Sequence, residues 1–157
     1  KDKDGLWKAL LDDRLDVIAT DHAPHTLEEK NNGYNKAPSG GPLVQHALVA
    51  LLEMYHKGKI SLEKIVEKAC HNPAILFQIK DRGFIREGYK ADLVLVDLVS
   101  PWTVNKENIL YKCGWSPFEG VTFKSRVSHT FVNGILTYHN LKFQNKSVSQ
   151  RLTFNRP

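Results

Sequence analysis

The chain has 157 residues, 41% of them hydrophobic and 25% charged, an ordinary globular composition sized for one domain or the end of a larger one. No run of about 18 apolar residues occurs, so no membrane span is expected, and nothing reads as a secretory leader. The net charge of +5 is spread among interleaved acids, as in KGKISLEKIVEK, so it reads as solvated surface and nucleic-acid binding is not expected.

In chain order, residues 3–13 place Leu6, Trp7, Ala9, Leu10 and Leu11 at helical spacing. The chain opens on Lys1 without an initiator Met and reads as a piece that begins inside a fold. Asp16 to Thr20 is apolar and β-branched, the pattern of a short buried strand of a parallel sheet. Residues 26–41 form a polar loop ending in APSGG. A helix is expected over 42–56, with Pro42 in its first turn and Gly58 beyond its end. Ser61 is the expected N-cap of a helix over 62–70, and Asn72 that of a further short helix starting at Pro73.

After Lys80 the period becomes that of strands. GFIREGYKADLVLVDL reads as two short strands, and RVSHTFVNGILTY as a hairpin turning on Asn133-Gly134. Residues 140–157 lack a period and read as a surface tail. The order is one βα unit with its preceding helix, then a small β module. A lone parallel strand cannot stand by itself, so its partners must come from polypeptide outside this chain or from another chain. The two cysteines, Cys70 and Cys113, are too few for a disulfide framework and lie in no CxxC pair. They point to a reducing, cytoplasmic compartment and away from a thiolate zinc site. Cys70 is expected to be buried at a helix end. Trp115 and Phe118 are expected as packing anchors, and His46, His56, His71, His129 and His139 as structural or surface groups.

Chemistry is concentrated in ATDHAPHTLEEK. If Val17–Thr20 is a strand of a (β/α)8 barrel, Asp21 sits at its carboxyl end, where such barrels carry catalytic groups. A carboxylate there can bind a divalent metal and take a proton from metal-bound water. His25, held by Pro24, can hydrogen-bond an anionic substrate group. The APSGG loop can offer backbone groups at close range. Acids and histidines at this spacing are also common in loops, so a structural role stays open on spacing alone. His22 points away from Asp21 by strand alternation and is expected to make structural hydrogen bonds.

Taken together, these segments resemble the dihydroorotases of the amidohydrolase superfamily over about residues 3–139. ATDHAPHTLEEK resembles that family's strand-eight motif, GGPLVQHALVALL its Pro/Gly-rich loop and following helix, and ACHNPAILFQI its Asn-Pro helix. GFIREGYKADLVLVDL is similar to the small β domain that follows the barrel, and YKCGWSPFEGVTFKSRVSHTFVNG to that domain's end. The resemblance implies an α/β fold. Residues 1–79 would be the C-terminal portion of a (β/α)8 TIM-type barrel, 80–139 a small β-sandwich-like module, and 140–157 a tail.

It also implies reversible hydrolysis of dihydroorotate to N-carbamoyl-aspartate, a step of de novo pyrimidine synthesis, with two zinc ions and a homo-oligomeric enzyme. A hydroxide bridging the two zinc ions would attack the ring carbonyl. On this reading Asp21 matches the metal ligand and general acid/base, and His25 the group that holds the substrate carboxylate. Ser39 and Gly40 match a loop pair that touches substrate through backbone atoms. Ser39 stands where the family often has proline, which leaves a backbone contact possible on a less stiff loop. No HxH motif and no bridging lysine are identified here, so the remaining ligands would lie on missing polypeptide and these residues alone would be inactive. Another cyclic amidohydrolase, acting on hydantoins or allantoin, and a non-catalytic dihydroorotase-like scaffold subunit are the alternatives.

Overall fold

A computed structural model describes residues 2–139, 141–144 and 148–156. Its helices are α1 (Asp2–Leu11), α2 (Leu27–Lys30), α3 (Ala47–His56), α4 (Leu62–Val66) and α5 (Asn72–Leu76), with a π-helical turn at Glu67–His71. Its strands are β1 (Leu93–Asp97), β2 (Trp102–Thr103), β3 (Thr122–Phe123), β4 (Arg126–Val132), β5 (Ile135–His139) and β6 (Lys142–Phe143). The first, fourth, fifth and sixth strands form one sheet in the order β1-β4-β5-β6, and β2 pairs with β3. The chain is therefore mixed α/β, and it divides into two compact units. One takes the chain up to Ile18, Lys57–Asp97 and the chain from Val127; the other takes Ala19–His56 and Leu98–Arg126. No helix among the described residues is long and apolar enough to cross a membrane.

In the first unit a buried ammonium organises the packing. Lys68 is only 1% exposed. Its Nζ donates to the Leu15 carbonyl at 2.7 Å and pairs with Asp13 at 2.8 Å. Burial of a charge is tolerable because both partners are in place. Lys68, with Lys64 beside it, holds the Asp13 carboxyl down at about 2. The Lys68 carbonyl accepts from Ile18 N–H at 3.1 Å. Asn72 is the first residue of α5 rather than its cap, and its Nδ2 donates to the Asp16 carbonyl at 2.8 Å. The predicted strand at Asp16–Thr20 thus carries no ladder among the described residues. These side-chain ties hold its start where neighbouring parallel strands would otherwise be needed. Cys70, expected to be buried, is exposed. The wide π turn shifts the helical phase, and Lys68 takes the inward position instead.

The predicted hairpin forms as β4 and β5. Asn133 (φ 52°) and Gly134 (φ 79°) are both left-handed, as a type I′ turn requires. Asp92, next to β1, accepts the Asn133 N–H at 2.8 Å and pairs with Arg82, which donates to Asn133 Oδ1 at 2.7 Å. Of the two strands expected in residues 83–98, β1 alone forms. Phe84 instead stacks on His71, 4.3 Å between ring centres, and lies under the Arg86 guanidinium. The expected tail also has order: β6 pairs with β5, and Phe154 bridges to Ile79. Residues 140, 145–147 and 157 of that segment lie outside the described residues.

In the second unit the core is Val49 of α3, Val104 and Phe123, flanked by Ala50, Trp102, Ile109 and Phe118. His46 is fully buried among these aromatic rings. Its Nδ1 lies 3.2 Å from the Tyr111 hydroxyl and 3.1 Å from Ser116 Oγ, while its Nε2 has no hydrogen-bond partner among the described residues. Burial penalises the imidazolium and pushes the His46 pKa down. The helix expected from Pro42 begins five residues later, at Ala47. The N–H groups of Leu43, Val44 and Gln45 are drawn to side chains, His22 Nδ1 for the first two and the Tyr111 hydroxyl for the third.

Two outcomes are expected. Phe123→Ala removes a buried ring and should lower stability by about 3–5 kcal/mol in urea unfolding. For His46 the folded pKa lies below the unfolded value of 6.5. Unfolding therefore takes up a proton as pH drops below that value, so stability is retained above it and declines on the acid side. His46→Gln should flatten this decline when unfolding midpoints are followed from about pH 8 to pH 5.

Candidate functional site

The residues singled out from the sequence lie in one unit, on two segments that meet. His22 and Gly41 form a parallel bridge, and Ala23 N–H donates to the Gly41 carbonyl at 3.0 Å. This sets residues 21–25 alongside 39–41. The approach depends on glycine. Gly40 has φ +81°, and a Cβ there would sit 2.7 Å from the Ala23 Cβ. Ser39 and Gly40 are exposed, and neither Ser39 nor the Gly40 N–H has a hydrogen-bond partner among the described residues. The loop pair therefore presents free backbone donors and an acceptor.

Asp21 opens the first segment. Its side chain is exposed, with no hydrogen-bond partner among the described residues, and its φ of 45° is left-handed. Aspartate tolerates that conformation better than most residues, but it carries strain of the kind that concentrates at working sites. His22 is structural, as expected. Its Nδ1 accepts from Leu43 N–H at 3.0 Å and Val44 N–H at 3.3 Å, so its ring ties the start of the second segment's helical region to the first. Those bonds assign the ring proton to Nε2.

His25 is half-buried. Its Nδ1 lies 3.6 Å from Glu29 Oε2, its N–H donates to the Ala23 carbonyl, and its own carbonyl accepts from Trp115 Nε1 at 2.8 Å. The Trp115 ring also lies 3.7 Å from where a Gly41 Cβ would be. Trp115 is thus more than a packing anchor, because it fixes the backbone of the histidine loop. Glu29 is held in turn. It accepts from Thr26 N–H at 2.7 Å in a capping box that starts α2, and this hydrogen bonding lowers its pKa. The Thr-x-x-Glu spacing was the sequence signal for α2 within what reads as loop. Lys30, at the end of α2, has no such signal. Its Nζ donates to the Pro38 carbonyl at 2.6 Å and the Gly40 carbonyl at 3.0 Å.

As a metal centre these residues are incomplete. Among the described residues no three His, Cys, Asp or Glu side chains converge. Asp21 offers a single unpartnered carboxylate, which fits one ligand of a shared site and no more.

Gly40→Ala should cost more than the roughly 1–2 kcal/mol of a left-handed alanine, because the methyl also strikes Ala23. Adding Ala23→Gly should recover the clash and leave the backbone part, read as the difference in unfolding free energy between single and double variants. Equal stabilities for the two would show that no close approach exists.

Comparison with known proteins identifies the family. The amidohydrolase family matches residues 1–136. The dihydroorotase of Pyrococcus furiosus is 37% identical over 152 residues, 97% of this chain and 35% of that protein. The dihydroorotase of Halobacterium salinarum is 42% identical over 118 residues, 75% of this chain and 28% of that protein. The chain thus spans about a third of the length of the curated relatives it matches. Among solved structures, a D-hydantoinase (dihydropyrimidinase) from Thermus sp. superposes with a TM-score of 0.80 at 28% identity, over 91% of this chain and 32% of its own. An L-hydantoinase (dihydropyrimidinase) from Arthrobacter aurescens gives 0.80 at 29% identity, over 88% and 32%. With the family's match running through both motif segments and the β module, the chain belongs to the amidohydrolase family.

Proposed function

We propose that this chain supplies the last third of a dihydroorotase, an enzyme that reversibly hydrolyses the cyclic amide of dihydroorotate to N-carbamoyl-aspartate in pyrimidine synthesis. The observation that carries the reading is the bridged pair of segments. It runs the segment of Asp21 and His25 alongside the loop of Ser39 and Gly40, in a chain 35–42% identical to dihydroorotases. On this reading residues 1–79 close a (β/α)8 barrel and 80–139 form its small β domain. The exposed Leu6, Val44, Ile75 and Ile85 suit burial under the rest of such a polypeptide.

Asp21 takes the proton of the attacking water and returns it to the leaving amide nitrogen, a role that suits a carboxylate with one oxygen left free for the proton. His25, with Glu29 at its Nδ1, turns its other nitrogen to the substrate carboxylate. The Ser39 and Gly40 backbone meets the polar edge of the ring. Two zinc ions are the proposed cofactor, with Asp21 one ligand and the others from polypeptide outside this chain. When bound, zinc polarises the ring carbonyl and the attacking water. The proposed enzyme is a cytoplasmic homo-oligomer acting on this small molecule.

A second reading, a hydantoinase, is favoured by the structural likeness to two hydantoinases. The discriminating group is His25, which suits a substrate bearing a carboxylate. Assaying the full-length protein on dihydroorotate and on hydantoin decides between them, with dihydroorotate the expected substrate. There, Asp21→Asn should lower kcat by about 100- to 10,000-fold with the fold intact. His25→Ala should raise KM roughly tenfold or more. Turnover that survives in Asp21→Asn would contradict the role of that carboxylate.

A further inference from the structure

We propose that Lys30 is a positioning residue that sets the substrate-facing backbone of the glycine loop; this rests on the dihydroorotase reading. A lysine on a short surface helix ordinarily leaves its ammonium in water. Lys30 is half-buried, and its Nζ spans the loop to reach two carbonyls, Pro38 at 2.6 Å and Gly40 at 3.0 Å. Charge-assisted bonds of this kind are among the stronger ones. The two carbonyls it takes flank Ser39, whose own N–H and C=O stay free among the described residues. By occupying every second carbonyl, Lys30 turns those groups toward α2. It leaves Ser39 and the Gly40 N–H as the groups that face outward.

The clamp also answers the loss of stiffness expected from serine in place of proline at position 39. The loop is fixed from both ends, by Lys30 at residues 38 and 40 and by Ala23 N–H at Gly41. Its anchor is built from the same motif that carries the carboxylate and histidine. Lys30 closes the helix that Thr26 and Glu29 start. One local fold thus positions His25 through Glu29 and the glycine loop through Lys30. Lys30 itself touches neither substrate nor metal on this arrangement.

The test compares wild-type, Lys30→Met and Lys30→Arg full-length protein in two measurements: dihydroorotate kinetics and amide hydrogen exchange over residues 36–41. The proposal expects Lys30→Met to raise KM roughly tenfold or more, with kcat changed much less and exchange in the loop faster. It expects Lys30→Arg, which keeps charge and donors, to restore most of both. Wild-type turnover with unchanged KM in Lys30→Met overturns the clamp and leaves the dihydroorotase reading standing. A fall in kcat alone, or a loss of folding shared by both variants, overturns it too. If wild-type protein turns over no dihydroorotate, the dihydroorotase reading fails, and substrate positioning by Lys30 fails with it.

Discussion

The missing side chain of Gly40 is the constraint on which the candidate site depends. Two segments of opposite character, one ending in an acid and two histidines, the other in serine and paired glycines, can lie against each other only if one backbone yields space. Gly40 yields it, at a backbone angle that a side chain would strain and at a distance from Ala23 that a methyl would violate. Once that contact is made, the His22–Gly41 bridge and the His22 ring bonds follow, and the next stretch of chain is directed into α3.

The rest of this unit works as a buttress for the two segments. The Trp115 indole reaches the His25 carbonyl across 90 positions of sequence. The Tyr111 hydroxyl accepts from Gln45 N–H and meets His46. The Gln45 side chain in turn donates to the Asn108 carbonyl and accepts from Leu110 N–H. Residues that look like a separate C-terminal module therefore share a compact unit with the loops of the proposed chemistry. The Trp-Ser-Pro-Phe element is thereby tied to the Asp-His-Ala-Pro-His element through the Trp115–His25 bond. The His46 imidazole is buried in that buttress with one nitrogen unpartnered among the described residues.

Much of this was legible because local rules governed it. The Asn133-Gly134 turn was readable because a two-residue hairpin loop demands left-handed residues. Ser61 was readable as a cap because its hydroxyl meets an N–H three residues on, at Lys64. Asp21, His25, Ser39 and Gly40 were readable as candidates from residue type and motif. Where distant side chains decided, the sequence reading failed. The helix expected over 42–56 starts at Ala47, and the bonds from the Leu43 and Gln45 N–H groups to His22 and Tyr111 leave no trace in periodicity. Cys70 faces outward because a π turn shifts the phase of its helix. Phe84 stacks on a histidine in place of forming a strand. Lys30 and Trp115 were invisible as site supports because their partners are backbone carbonyls, which no side-chain pattern marks.

The most direct measurement is a crystal structure of the full-length, zinc-loaded protein with dihydroorotate bound. The account predicts the Asp21 carboxylate on the metal, His25 at the substrate carboxylate and the Ser39–Gly40 backbone at the ring. Substrate seated elsewhere, with Asp21 still facing solvent, would contradict it.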